Sequence, residues 1–259
     1  MKVPFEEYST KYDAFLKMRR EDGILEVRLE TNGGSSVLSG DLHQALGHCF
    51  LDIGSDVDNR VIILTGTGET FIEMADMSVY EGYTATPAEY VPLIAESWRL
   101  LNNFVEIEVP VIAAVNGPAP IHAEIPALAD IVIASDTAYF ADVFHFINDV
   151  VPGDGTHIVW PLLLGLGRAR YFIMTGQKIW ADEAKQLGFV HEVLPHDQVN
   201  HRAWEVARDL LQYSDVTLRS TRLLFAQQIR KHLVEQLPVG LALEGLGFCR
   251  YFPSKMKPF

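Results

Sequence analysis

The side chains able to do acid–base chemistry are unevenly spread along this chain. Between Val109 and Ile158, in VPVIAAVNGPAPIHAEIPALADIVIASDTAYFADVFHFINDVVPGDGTHI, lie His122, Glu124, Asp142, His145, Asp149, Asp154 and His157. Imidazoles and carboxyls crowded into an apolar neighbourhood either form a site or must find partners, because an unpaired buried polar group is costly. A histidine with an ordinary pKa of roughly 6.5 accepts a proton from water near neutral pH, provided an acceptor holds its other ring nitrogen. Asp154 is the expected orienter for His145. Nine residues apart, they cannot face each other along one regular element, but a turn at Pro152-Gly153 folds Asp154 back onto the ring.

Plainer roles compete for each residue. Asp154 also suits the cap of a helix starting at Gly155-Thr156. His43 and His157 read equally well as core histidines with both nitrogens satisfied. Glu244, in the middle of a helical pattern, reads as a solvated face, Asp142 and Asp149 as structural or solvated, and His191 and His196 as surface residues. His122-x-Glu124 together with His145 and Asp154 also offers nitrogen and oxygen ligands to a metal. The HExxH and HxxxH helical spacings are absent and no cysteine is placed to help, so a metal-free imidazole–carboxylate pair is preferred.

The elements that must position these groups follow from hydropathy patterning. Val111–Val115 and Ile131–Ala134 are β-branched runs flanking Asn116-Gly117-Pro118, which reads as strand, turn, short helix, strand. Ile24 to Glu30 alternates at period two, a strand with one wet face. Val61–Thr65 is continuously apolar, as in a parallel strand covered on both sides, and Gly66-Thr67-Gly68-Glu69-Thr70 leaves its carboxyl end, where open α/β sheets place ligands. Helices are expected from Leu42 to Gly54, Pro87 to Glu106, Trp160 to Met174 and Ala181 to Leu187, and a last strand over Phe189–Leu194. Such alternation implies a parallel sheet. Residues 197–251 show apolar periodicity without strand signals and are expected to form a helical layer on the core or on a neighbouring subunit, so the chain divides into a core at 1–196 and a helical region at 197–259. The tail YFPSKMKPF reads as irregular.

Composition narrows the function classes. A chain of 259 residues, 48% hydrophobic, can bury a sizeable α/β core. Its net charge of -13 argues against a nucleic-acid partner, which would demand lysine and arginine contacts to phosphate. Cys49 and Cys249 sit among apolar neighbours and read as small core residues. No run approaches the roughly 18 apolar residues of a membrane span, and the start of the chain carries no continuous apolar signal region. The expectation is a cytoplasmic protein acting on a small molecule without membrane association.

The series VIILTGTGETFIEMADM, VPVIAAVNGPA, DIVIASDTAYF, VVPGDG and GRARYFIMTGQKIWADEAKQLGFVHEVLP, in that order, resembles the crotonase superfamily of enoyl-CoA hydratase-like proteins from about residue 20 to residue 200. The resemblance implies a spiral of ββα repeats with a C-terminal helical trimerisation region, as a homotrimer or dimer of trimers. Members handling acyl-CoA thioesters place a glycine-rich segment after the Asn-Gly turn as an oxyanion hole, whereas this chain has Ile121-His122-Ala123 there, and Phe71-Ile72-Glu73-Met74-Ala75-Asp76 replaces the usual small-residue run. His145 falls where hydratases carry a catalytic glutamate. These replacements resemble the branch of β-diketone hydrolases typified by 6-oxocamphor hydrolase, through NGPAPIHAEIP with His122, the His145 position, VVPGDG with Asp154, LALEGL with Glu244, and His43.

That branch implies retro-Claisen cleavage of a cyclic or bicyclic β-diketone to a keto acid, with no metal or organic cofactor. His145 would be the base, Asp154 its orienter, His122 a donor to the carbonyl that leaves as enolate, and Glu244 and His43 a polar wall or proton relay. Leu38, Phe71, Met74, Trp98 and Phe144 are candidates for an apolar substrate pocket. The competing expectation is a crotonase-type acyl-CoA hydratase, isomerase or thioester hydrolase that uses His145 in place of the glutamate.

Overall fold

The computed structural model describes residues 3–73 and 85–250. Its backbone is a six-stranded sheet built from β1 (Leu16–Glu21), β2 (Ile24–Leu29), β3 (Val61–Gly66), β4 (Val111–Val115), β5 (Ile131–Ser135) and β8 (Glu192–Leu194), ordered β1-β2-β3-β4-β5-β8. The β1–β2 pair is antiparallel and every other pairing in this sheet is parallel, with Ile62 opposite Val111 and Ile112 opposite Ile131. A separate two-stranded ribbon pairs β6 (Tyr139–Phe140) with β7 (Ile179–Trp180).

The parallel strands are apolar on both faces because both faces are covered. Side chains alternate along a strand, so Ile24, Val61, Ile63, Ile112, Ala114 and Ile133 share one face, where Val199, Ala203, Trp204 and Ala207 of α8 (His196–Leu210) pack. Leu25, Val27, Ile62, Leu64, Val111, Ala113, Val115 and Val132 face the opposite, larger core. There α2 (Gly40–Ser55) contributes Leu42, Leu46, Cys49, Phe50 and Ile53, and α3 (Pro87–Val105) contributes Leu100, Leu101 and Phe104. Both helices have built starts: Ser39 accepts from Leu42 N, and Thr86 with Glu89 forms a capping box.

Two short elements precede β2 where sequence patterning gave no signal. These are α1 (Phe5–Lys11) and β1, whose LKMRRE alternates in burial but carries charges along the sheet edge, a common guard against edge pairing. The short α4 (Glu124–Ala127) lies between β4 and β5, and α5 (Thr156–Leu164), α6 (Leu166–Thr175) and α7 (Ala181–Leu187) follow the ribbon strand β6. The first of these helices begins four residues before the expected Trp160, and the last strand is confined to Glu192–Leu194, with Phe189 and Val190 buried ahead of it. The chain closes with α9 (Asp215–Arg250), 36 residues, about 54 Å at 1.5 Å per residue. Met74 and the tail 251–259 lie outside the described residues. No described helix is long and apolar enough to cross a membrane.

Candidate active site

Five segments converge on one buried cluster. The first is the turn after β4. Asn116 accepts from Gly66 N at 3.0 Å and donates through Nδ2 to the carbonyls of Gly68 and Thr70 at 2.8 and 2.9 Å, tying this turn to the loop after β3. A Cβ at Gly117 would collide with the Glu69 carbonyl, so the residue after the asparagine must be glycine for this approach. Phe71 N donates to Pro118 O at 2.9 Å, which seats the buried Phe71 beside the same turn. From there the backbone pairs residues 119–120 with 139–143, through Ala119 N to Tyr139 O, Ala141 N to Ala119 O and Val143 N to Pro120 O. The loop carrying His122 is thereby laid beside the loop carrying His145.

His122 takes a left-handed backbone conformation, φ 46°, uncommon for a residue with a side chain and concentrated at functional sites. Its Nδ1 lies 2.7 Å from Glu124 Oε1 and 3.8 Å from Asp154 Oδ2. His145 presents Nδ1 to both oxygens of Asp142, at 2.9 and 3.0 Å. Its Nε2 lies 3.5 Å from Asp154 Oδ2 and 3.9 Å from Glu244 Oε1. Asp154 Oδ2 therefore stands between the two imidazoles. His43, on α2, completes the group, its ring centroid 5.2 Å from that of His122.

This arrangement corrects four sequence readings. Asp142 is neither solvated nor peripheral: it is buried, accepts from the backbone N–H of Phe144 and His145, and holds His145 Nδ1. Asp154 thus faces His145 from the opposite nitrogen and is not its Nδ1 orienter. Asp154 does not cap α5 either: its Oδ1 accepts from Thr156 Oγ1 at 3.1 Å, and the helix has no side-chain cap. Glu244 is buried, not a solvated face. The signal was available, since Leu233, Leu237 and Leu241 are fully buried at helical spacing and Glu244 continues their stripe three residues on.

Close backbone packing brings Glu244 in. A Cβ at Gly153 would strike the Gly240 carbonyl and Glu244, and one at Gly240 would strike the His157 ring and the Gly153 carbonyl. His157 itself donates from Nδ1 to Pro152 O at 3.0 Å and serves this crossing. Tyr90 of α3 donates to Leu241 O at 3.0 Å, fixing the helix on its other side. His191 is exposed at the sheet end, its Nδ1 accepting from Val132 N, while the half-buried His196 donates to Asn116 O at 2.6 Å and so supports the turn before His122. Leu38, Trp98 and Phe144 are half-buried against the main core, and the Phe144 ring meets that of His145 edge-on at 5.0 Å.

Electrostatics sort the cluster. Burial works against charge on Asp154, yet the two imidazoles bring its pKa down to about 2. Burial, reinforced by the charge on Asp154, pushes Glu244 up to about 8, so it is a neutral carboxylic acid at pH 7. Burial alone would lower His145, but Asp142, Asp154 and Glu244 together hold it well above 6.5. At rest it is an imidazolium, not the near-neutral base an unperturbed ring would be. His43 goes the other way, lowered to about 3 by burial and by His122. Among the described residues, His145 Nε2 and Glu244 Oε2 are buried without a hydrogen-bond partner. Such atoms await a water or a ligand. The trios His122, Glu124, Asp154 and His145, Asp154, Glu244 are also compact enough to hold a cation.

The chain matches the family model for enoyl-CoA hydratase/isomerase over residues 19–244. It belongs to that family, the crotonase superfamily. The short-chain-enoyl-CoA hydratase of Clostridium acetobutylicum is 27% identical over 240 residues, 92% of this chain and 89% of that protein. An enoyl-CoA hydratase/isomerase structure from Mycobacterium paratuberculosis shares the crotonase fold at a TM-score of 0.85 and 24% identity, over 93% of this chain and 96% of that one. A β-diketone hydrolase from the cyanobacterium Anabaena, solved with (S)-3-oxocyclohexyl acetic acid, is 43% identical at a TM-score of 0.90, covering 96% of this chain and 98% of that one.

Proposed function

We propose that this crotonase hydrolyses a carbon–carbon bond of a cyclic or bicyclic β-diketone, giving a keto acid without a metal or organic cofactor. The observation that carries the reading is the pair of buried imidazoles facing one ionised Asp154, with His122 occupying the turn after β4. The 43% identity to a β-diketone hydrolase supports it.

With Asp142 on Nδ1, the basic position of a neutral His145 is Nε2, the atom left without a partner. Nε2 takes a proton from water as the water oxygen bonds to one carbonyl carbon. The tetrahedral oxyanion re-forms its C=O, the C–C bond breaks, and its electron pair moves onto the second carbonyl as an enolate. His122 stabilises the enolate oxygen; a well-aimed donor of this type is worth about 3 kcal/mol in the transition state. The enolate carbon then takes a proton from the His145–Glu244 side, so water is consumed and acid and ketone are formed. Because His145 rests as an imidazolium, kcat/KM climbs as pH rises above 6.5 and the ring sheds its Nε2 proton.

Exposed apolar residues on α9, including Val216, Leu224, Phe225 and Leu246, support a homotrimer or dimer of trimers, which light scattering of the purified protein measures. The alternative reading, an acyl-CoA hydratase, isomerase or thioester hydrolase, draws on the hydratase relatives. Incubation with a symmetric bicyclic diketone, followed by chiral chromatography, tests the proposal against a parallel panel of acyl-CoA thioesters. A keto acid from the diketone is expected. Turnover confined to the thioesters transfers the assignment to the alternative.

A further inference from the structure

His122 must offer a proton to an oxygen, and the structure places an acceptor where that proton would otherwise come from. Its Nδ1 is 2.7 Å from Glu124 Oε1, so Nδ1 carries a hydrogen and donates it to Glu124. A neutral ring in that tautomer has a bare lone pair on Nε2, which repels an oxyanion. Only the imidazolium carries a second N–H.

Resting on the β-diketone reading, we infer that Glu124 is a positioning residue that keeps His122 doubly protonated, with Nε2–H free for the enolate oxygen. Several observations converge on this. Glu124 is buried at the start of α4, two residues from His122, in the turn that holds His122 at positive φ. Among the described residues, the hydrogen bond of the His122 ring is the one between Nδ1 and Glu124, and none involves Nε2. The groups facing the ring are Glu124 from α4, Asp154 from the loop before α5, His145 from the loop after β6 and His43 from α2. Burial and His145 oppose charge on the ring, but Glu124, helped by Asp154, prevails and the His122 pKa is raised. Glu124 needs no contact with substrate for this task.

The test is Glu124→Gln, which keeps an oxygen acceptor for Nδ1–H and removes the negative charge. In ligand-free protein with 15N-labelled histidine, wild-type His122 is expected to show both ring nitrogens protonated at pH 7. The variant is expected to titrate at lower pH and to show one protonated and one bare nitrogen. On diketone, the variant loses about 10- to 100-fold in kcat with KM within about 3-fold, and Glu124→Asp recovers part of the loss. A wild-type His122 that is neutral at pH 7 overturns the inference even if the variant does not fold, and so does an unchanged titration in the variant. The nuclear resonance readout needs no substrate: a shifted titration without diketone cleavage upholds the Glu124 pairing while removing the reaction assigned to the site.

Discussion

Two buried glutamates of equal exposure, both 6%, mark the difference between a polar group that holds the fold and one that waits for chemistry. Glu26 projects from β2 toward α8. It accepts from Trp204 Nε1 at 2.6 Å, Asn200 Nδ2 at 3.2 Å and Arg28 at 3.0 Å, with Arg19 a further 3.6 Å away. Burial would raise its pKa, yet Trp204 and Arg28 bring it below the ordinary value. Glu244 has none of this: among the described residues Oε2 has no hydrogen-bond partner, its neighbours include another carboxylate, and burial with that charge pushes its pKa up to about 8. Glu26 is held on both carboxylate oxygens by the groups around it. Leaving Glu244 and His145 Nε2 unsatisfied in the same buried cluster costs stability, and the return is a place where water and a carbonyl can be bound and protonated.

The widest separation of the two regions should come from His145→Ala. We expect kcat on a diketone to fall by about 10²–10⁴ with an unchanged circular dichroism spectrum, since the base is lost while the sheet is untouched. Asp154→Asn, which removes the ionised carboxylate that stands between the two imidazoles and favours their charged forms, should fall in the same range. Near-wild-type rates in either variant would remove the corresponding role. Asp142→Asn discriminates next: an amide can donate to Nδ1 and so favour the wrong tautomer, with an expected loss of about 10²-fold or more. A pH–rate profile of this variant should also lose the rise above pH 6.5 that the wild type owes to its carboxylate-held imidazolium.

Glu26→Ala should invert the pattern. Trp204 Nε1 would be buried without an acceptor and Arg28 would keep the Gly66 carbonyl but lose its carboxylate, costing about 3 kcal/mol in urea denaturation, while kcat stays within about 2-fold. Comparable losses of activity and stability would show that the sheet face under α8 and the buried imidazole–carboxylate cluster are not separable.

The same contrast explains what the sequence disclosed. Apolar runs such as Val61–Thr65 and Val111–Val115 announce central strands because burial on two faces admits almost nothing else. The charged β1 was hidden because an edge strand needs only half its side chains apolar. Within the site, His122, His145 and Asp154 were legible from their crowding and from the family resemblance. The partner of His145 was not, because the turn after β6 bends Asp142 back over three residues by accepting two backbone N–H groups, a geometry that spacing alone does not reveal. The Pro152-Gly153 turn suggests Asp154 instead, but the task of that turn is to let Gly153 touch Gly240.

The smallest effect is the one that most sharpens the comparison of the two glutamates. Glu244 has a folded pKa of about 8 against an ordinary 4.5. For a carboxyl whose folded pKa is raised, the neutral form is the stable one, so its contribution is fully present below the unfolded pKa and is lost as pH rises through the folded one. Between about pH 4.5 and pH 8 the wild type should therefore lose stability relative to Glu244→Gln, and above pH 8 the difference should level off. The nearby His145 imidazolium offsets part of the buried charge, which keeps the expected gain for the variant on the order of 1–3 kcal/mol at pH 9. Thermal melts of the two proteins at pH 5, 7 and 9 measure it. Parallel Tm curves would place Glu244 with Glu26, as a satisfied structural carboxylate, and would take the proton-donating role away from it. Diverging curves, with Glu26→Gln moving in the opposite sense because its folded pKa is lowered, would separate the two burials by sign.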